Sequence, residues 1–137
     1  MPTRRSFLIA SGVTALASTR VFGANDTIRL GVIGAGQRMK GLLDAGEKVG
    51  PYQIVAVSDP YRPHRDAITQ RSNGLATGHL DYREVLDQNI DAVIIASPDH
   101  WHVTMAVDAI KSGKDVFLEK PVKIGGYRLG GWRLLRC

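Results

Sequence analysis

The chain has 137 residues, of which 44% are hydrophobic and 23% charged, with a formal net charge of +5. That length holds one domain, and no apolar run is long enough to cross a bilayer. Arg4, Arg5 and Arg20 lie within residues 1–23 and Lys123, Arg128, Arg133 and Arg136 within 122–137, neither stretch holding an acid, so the body carries 11 bases against 13 acids and no basic stripe for nucleic acid.

Thr3-Arg4-Arg5-Ser6-Phe7-Leu8-Ile9 is a twin-arginine pattern, followed by a modestly apolar stretch from Phe7 to Ala17 and then by small residues. It resembles a Tat export signal over residues 1–23. The resemblance implies the Tat machinery as a partner and delivery to the periplasm or cell exterior, with membrane anchorage if the segment stays uncleaved. A chance arginine pair ahead of a short helix is the competing reading. Val21-Phe22-Gly23 and Phe22-Gly23-Ala24 are the candidate cleavage sites, neither of them an ideal A-x-A. The Tat route carries folded proteins, which suits one that takes up a nucleotide before leaving the cytoplasm. The single cysteine, Cys137, excludes an intrachain disulfide framework.

Ile28, Leu30, Val32 and Ile33 make a short β-rich run that enters Gly34-Ala35-Gly36 and then a helix. Glycines there let the backbone turn against a phosphate, and the helix directs its N–H groups and positive dipole end at the anion, so Gly34, Ala35, Gly36, Gln37 and Arg38 are candidate pyrophosphate ligands. The full G-x-G-x-x-G pattern asks for glycine at 39, where this chain has Met39. A glycine turn alone is weak, since such turns also serve packing. Tyr52 to Ser58 reads as a second strand and ends in Asp59, 25 positions after Gly34, where an acid grips the adenosine ribose. The plainer role for Asp59 is to start a turn before Pro60.

The pattern then alternates. Tyr61 to Arg71 reads as a polar helix with Pro63 in its first turn, closed by Ser72-Asn73-Gly74. Asp81 to Gln88 reads as a short amphipathic helix, Asp81 its N-cap and Glu84 completing a capping box. Asp91 to Ala96 is a continuous apolar run, as in a strand covered on both faces. His102 to Ser112 is a helix with Val103, Ala106, Val107 and Ile110 on one face and Gly113 as its stop, and Asp115 to Glu119 is a last strand. Helices alternating with strands imply an α/β fold, a parallel sheet with right-handed crossovers. Ligands of such a sheet bind beyond the C-terminal strand ends, which directs attention to Ser97-Pro98-Asp99-His100-Trp101-His102 and Glu119-Lys120-Pro121.

Here the chain resembles the Gfo/Idh/MocA oxidoreductases, named for glucose-fructose oxidoreductase and inositol dehydrogenase. Three motifs carry the resemblance in order: Gly34, Gly36 and Arg38; Ser97, Pro98 and His102 in a Thr/Ser-Pro-x-x-x-His segment; and Glu119, Lys120 and Pro121. It covers about residues 26–121 as a dinucleotide-binding Rossmann domain. It implies NAD as cofactor, NADP being disfavoured by Asp59 although Arg62 stands nearby to accept a 2′-phosphate. Ser97, Pro98 and His102 would then lie along the nicotinamide ribose, and a sugar- or polyol-like molecule would be the substrate. Homo-oligomers would belong to the full-length protein. A metal reading of His100 and His102 fails on their i, i+2 spacing, which puts them on different sides of a helix, and on the lack of a third ligand close by. Trp101 reads as packing or substrate wall.

In the resemblance Lys120 is the candidate catalytic residue, a cation at the nicotinamide edge that hydrogen-bonds the reacting hydroxyl and handles its proton. Glu119 would pair with it, and Lys120-Pro121 is a candidate cis peptide bond. The plainer reading is a surface Glu-Lys pair closing a strand. Residues 122–137 depart from the family: two glycine pairs, four bases, no acid and no steady apolar period replace the expected crossover helix, sixth strand and substrate domain. A shifted frame or truncation near Val122 is the expectation, against a short basic tail that docks on a partner. The Rossmann sheet would then be incomplete at its C-terminal end, with Val116, Phe117 and Leu118 on an unpaired edge. Without its substrate domain the fragment would hold nucleotide and not turn over. Full-length alternatives are hydride transfer on a polyol, or glycoside cleavage through transient NAD oxidation.

Overall fold

The computed structural model describes residues 27–124, 127–129 and 133–135; the twin-arginine segment and its cleavage sites lie outside the described residues. The order is β1 (Ile28–Ile33), α1 (Gln37–Gly46), β2 (Tyr52–Ser58), α2 (Arg62–Arg71), β3 (Thr77–His79), α3 (Tyr82–Leu86), β4 (Ala92–Ile95), a 3-10 turn (Asp99–Trp101), α4 (His102–Lys111) and β5 (Asp115–Leu118). Three short strands follow: β6 (Val122–Ile124), β7 (Tyr127–Leu129) and β8 (Arg133–Leu135). The main sheet runs β3-β2-β1-β4-β5-β8, parallel through its first five strands. The chain winds outward from β1 to β3, then crosses to β4 on the other side of β1. A crevice therefore opens between β1 and β4, where such sheets bind ligands.

Two apolar clusters explain the layering. Leu30, Val32, Ile54 and Val57 meet Ala35, Met39 and Leu43 of the glycine turn and α1 and Ile68 of α2 on one face. On the other, Ile33, Val93, Ile95, Val116 and Leu118 meet Tyr82, Val85 and Leu86 of α3 and Ala106 and Ala109 of α4. Each fully buried Leu, Ile or Met contributes about 1.5–3 kcal/mol relative to exposure. Met39, at the position of the absent third glycine, is completely buried. It fills the seam between α1 and the sheet, so the departure from the glycine pattern is a packing solution. Gly31 is required by packing too: a Cβ there would stand 2.8 Å from both Ile90 Cδ1 and Val85 Cγ1.

Local stops follow their chemistry. Asn73 (φ 55°), Gly74 (φ 79°) and Gly113 (φ 72°) take left-handed conformations after α2 and α4. Asp81 caps α3 by accepting a hydrogen bond from the Arg83 N–H at 2.9 Å. Three expectations are corrected, and one strand, β3, was not anticipated. Glu84 does not complete a capping box: its carboxylate meets His79 Nδ1 at 2.7 Å, drawn there because β3 brings an imidazole alongside. β3 itself, three residues with Gly78 at its centre, is too short and polar to show a strand period. On α4 the buried residues are His102, Ala106 and Ala109, while Val107 is 40% exposed, so the apolar stripe is rotated from the expected face. Finally, the edge of β5 is paired: β8 lies antiparallel on it, with Val116 opposite Leu135 and Leu118 opposite Arg133. Val116 and Leu118 are buried. Strands of three residues set apart by glycine pairs have no periodicity to read in residues 122–137.

Candidate functional site

The last rungs of the sheet assemble the site. Gly34 N–H donates to Ser58 O at 2.8 Å, Ala96 N–H to Ile33 O at 2.9 Å, and Glu119 N–H to Ile95 O at 2.9 Å. These bonds continue the ladder past the strand ends and set the glycine turn, Asp59, Ser97 and Glu119-Lys120-Pro121 along one margin of the sheet. The three motifs, up to 85 residues apart in sequence, are brought to a single place.

The two glycines of the turn are required for different reasons. Gly34 has φ +81°, and a Cβ on it would stand 2.6 Å from the Ser97 backbone nitrogen and 2.8 Å from Ala96 C. It lets β1 turn against the exit of β4. Gly36 has φ −69° and ψ −170°, an extended conformation open to any residue, and caps α1 without a side-chain hydrogen bond. A Cβ on Gly36 would meet only His64 Cε1, at 3.8 Å. The space over Gly36 is therefore open, bordered by an imidazole, at an uncapped helix N-terminus. That is the shape and polarity a pyrophosphate fits.

Asp59 is 7% exposed and ties the second strand to the turn. Its Oδ2 accepts a hydrogen bond from the Ala35 N–H at 2.8 Å, and its Oδ1 accepts one from the Tyr61 N–H at 2.8 Å. The turn-starting role and a role at the glycine loop are thus filled by one carboxylate. Two residues of α2 that the sequence pattern did not single out complete this corner. His64 Nδ1 lies 3.2 Å from Asp59 Oδ2, and Arg65 donates from Nη1 to Asp59 O. His64 also meets the Tyr61 ring edge-on, centroids 4.9 Å apart. The signal available was the spacing: Pro63 fixes the helix start, and the next residue must project back over the preceding turn.

Arg38, in the first turn of α1, reaches across the margin to Glu119. Its Nε is 3.1 Å from Oε2 and its Nη2 donates to Oε1 at 3.4 Å. The Nε contact is an ion pair without hydrogen-bond alignment, so Oε2, buried, has charge compensation but no aligned donor among the described residues. Glu119 is thus paired with Arg38 and not with Lys120. Lys120 is exposed, and the Lys120–Pro121 bond is cis.

His102 is 1% exposed. Its Nε2 lies 2.6 Å from Ser97 O and its Nδ1 3.0 Å from Pro121 O. A neutral imidazole carries one N–H and donates to one of these carbonyls at a time. The ring is a strut between the segment after β4 and the Lys120-Pro121 segment. Ser97 Oγ is buried with no hydrogen-bond partner among the described residues, while Pro98 is exposed and Trp101 is 43% exposed.

A cleft of about 570 Å³ lies elsewhere, at the N-terminal end of β2, and is lined by Glu47, Lys48, Tyr52 and Arg71 among others. Its main cation is already compensated, Arg71 pairing with Asp44 at 2.7 Å and Glu47 at 2.6 Å.

Comparison with known proteins agrees with this geometry. Residues 28–127 match the model of the Gfo/Idh/MocA oxidoreductase family, NAD-binding Rossmann fold, a match that runs past Pro121 into β7. Inositol 2-dehydrogenase 1 of Saccharopolyspora erythraea is 33% identical over 101 residues, covering 70% of this chain and 29% of the relative. The alpha-N-acetylgalactosaminidase of Shewanella oneidensis is 31% identical over 108 residues, covering 72% and 24%. Among solved structures, myo-inositol dehydrogenase of Lactobacillus casei in complex with NAD(H) and myo-inositol superposes with a TM-score of 0.65 at 27% identity, over 71% of this chain and 29% of that one. The chain therefore spans less than a third of the length of these relatives. It belongs to the Gfo/Idh/MocA oxidoreductase family and carries that family's NAD-binding Rossmann domain.

Proposed function

We propose that this chain binds a nicotinamide dinucleotide across the β1–β4 crevice, NAD in preference to NADP, as the cofactor-holding part of an exported oxidoreductase of sugar- or polyol-like substrates. The observation that carries the reading is the open, uncapped turn at Gly36 with Asp59 bonded to Ala35 beside it. In this reading Gly34 to Arg38 face the pyrophosphate, and Asp59, with unused lone pairs on a fixed carboxylate, accepts from the adenosine ribose. Ser97 and Pro98 line the nicotinamide ribose, with His102 behind them. Ser97 Oγ is a buried hydroxyl that has no hydrogen-bond partner among the described residues. His102 acts by holding Ser97 and Pro121 in place rather than by touching the ligand, since both its nitrogens face carbonyls.

When bound, the nicotinamide ring accepts or returns a hydride. Lys120 is the catalytic candidate: its ammonium, exposed just beyond β5, would hydrogen-bond the substrate's reacting hydroxyl and handle its proton. Glu119 and Arg38 brace each other across the crevice and hold the backbone that presents Lys120. Turnover would need substrate walls and a second proton-transfer group. The similarity to both an inositol dehydrogenase and an α-N-acetylgalactosaminidase keeps polyol oxidation and NAD-dependent glycoside cleavage as two outcomes for the whole protein. Export rests on Arg4-Arg5 and the apolar stretch after them.

Calorimetric titration of the full chain with NAD and with NADP, beside Asp59→Asn, tests the binding reading. Saturable NAD binding, weaker NADP binding and a loss of that preference in the variant are expected. Failure of both dinucleotides to bind sinks it.

A further inference from the structure

Among the groups the proposed binding reading leaves unused, His64 is the one built into the nucleotide corner. Its ring is the nearest side chain to the open space over Gly36, it stands 3.2 Å from Asp59 Oδ2, and its side chain is 40% exposed. We infer that His64 sets how strongly this site discriminates between NAD and NADP, and makes that discrimination depend on pH. The inference rests on the dinucleotide reading.

The argument is one of local charge. Asp59 favours a ribose diol by accepting hydrogen bonds from its hydroxyls and disfavours a 2′-phosphate by repulsion between like charges. A protonated His64 donates from Nδ1 to Asp59 Oδ2 and places a full positive charge beside that carboxylate, cancelling the repulsion and adding an attraction for phosphate. A neutral His64 leaves the carboxylate charge uncompensated.

The other ionisable groups around the ring do not follow the same course. From the β2–α2 connection these are Asp59 and the Tyr61 phenol, and from α2 they are Arg62 and Arg65; the glycine turn presents only backbone. Arg62 lies 3.6 Å from Asp66, and Arg65 is engaged with Asp59 O. Among these side-chain types a guanidinium is a permanent cation, and imidazole is the kind that can exchange its charge in the physiological range.

The test is direct binding of NAD and NADP to the full chain at about pH 6 and about pH 8, for wild type, His64→Gln and His64→Arg. In wild type the ratio of the NADP to the NAD dissociation constant is expected to fall about tenfold on acidification. The 2′-phosphate itself titrates near pH 6, and His64→Gln retains that contribution, so the variant should keep a high ratio with a much smaller pH response. His64→Arg, a permanent cation, should hold the ratio low at both pH values. Equal pH response in wild type and His64→Gln, with NAD still bound, overturns the inference and leaves the binding reading standing. Absence of NAD binding by wild type at both pH values overturns the binding reading and the inference with it.

Discussion

Asp59 Oδ2 accepts a hydrogen bond from the backbone N–H of Ala35 at 2.8 Å, joining the end of β2 to the turn that follows β1. The carboxylate is buried and also holds Tyr61 N–H, so it fixes the glycine turn before any ligand arrives. Asp59→Asn keeps the shape but offers one oxygen where two acceptors are used. Unfolding in urea should show a loss of about 1–3 kcal/mol, the cost of a buried donor left unpaired. An unchanged midpoint would show that the bond to Ala35 carries no stability.

The two glycines of the turn should respond differently. Gly34→Ala puts a Cβ into the backbone of Ser97 at a positive φ and should cost more than about 2 kcal/mol of stability. Gly36→Ala meets no backbone and is conformationally ordinary, so its thermal midpoint should stay close to that of wild type. Equal destabilisation by the two would contradict the assignment of Gly34 to packing and Gly36 to ligand access.

Alkaline pH should weaken the α3–α4 contact. The Tyr82 hydroxyl donates to Asp108 Oδ2 at 2.5 Å, and burial, then the bond to Asp108 and its charge, push the phenol from its usual value near 10 up to about 12. A folded value above the unfolded one means the contribution is whole below about pH 10 and is lost between pH 10 and about 12. Tyr82→Phe should flatten the stability profile across that window, measured by denaturant unfolding against pH.

Acid should act at the opposite end of the sheet. Asp91, after α3, accepts from the Arg29 side chain at 2.6 Å and from its backbone N–H at 2.9 Å, joining β1 to the start of β4. The hydrogen bonds from Arg29 hold the Asp91 carboxyl below its usual value near 3.8. The sign is reversed here: this contribution is present above about pH 4 and is lost as pH falls through the lowered value. Asp91→Asn should therefore destabilise the protein at neutral pH and far less in strong acid.

Much of this was legible before the fold was known, and the exceptions share a cause. β1, β2, β4 and β5 announce themselves as largely apolar runs, because strands covered on both faces leave few polar positions: Arg29 in β1, Gln53 and Ser58 in β2, Asp115 in β5 and none in β4. The glycine turn, Asp59 and Glu119-Lys120-Pro121 could be placed at strand ends because a parallel sheet puts them there. β3 and β8 could not, since three residues hold no period and their pairing is decided by a partner strand. His64 was missed because its meaning comes from the turn it folds back over; His102 was singled out, but a buried histidine and a ligand histidine look alike in sequence until both nitrogens are seen against Ser97 and Pro121 carbonyls.

The account turns on whether the open space over Gly36 holds a dinucleotide. Titration of NAD into the full chain and into Gly36→Val, with the unfolding midpoint of each recorded, measures this most directly. The account predicts saturable binding by wild type and at least about tenfold weaker binding by the variant at an unchanged midpoint. No binding by wild type, or equal binding by a folded Gly36→Val, would contradict it.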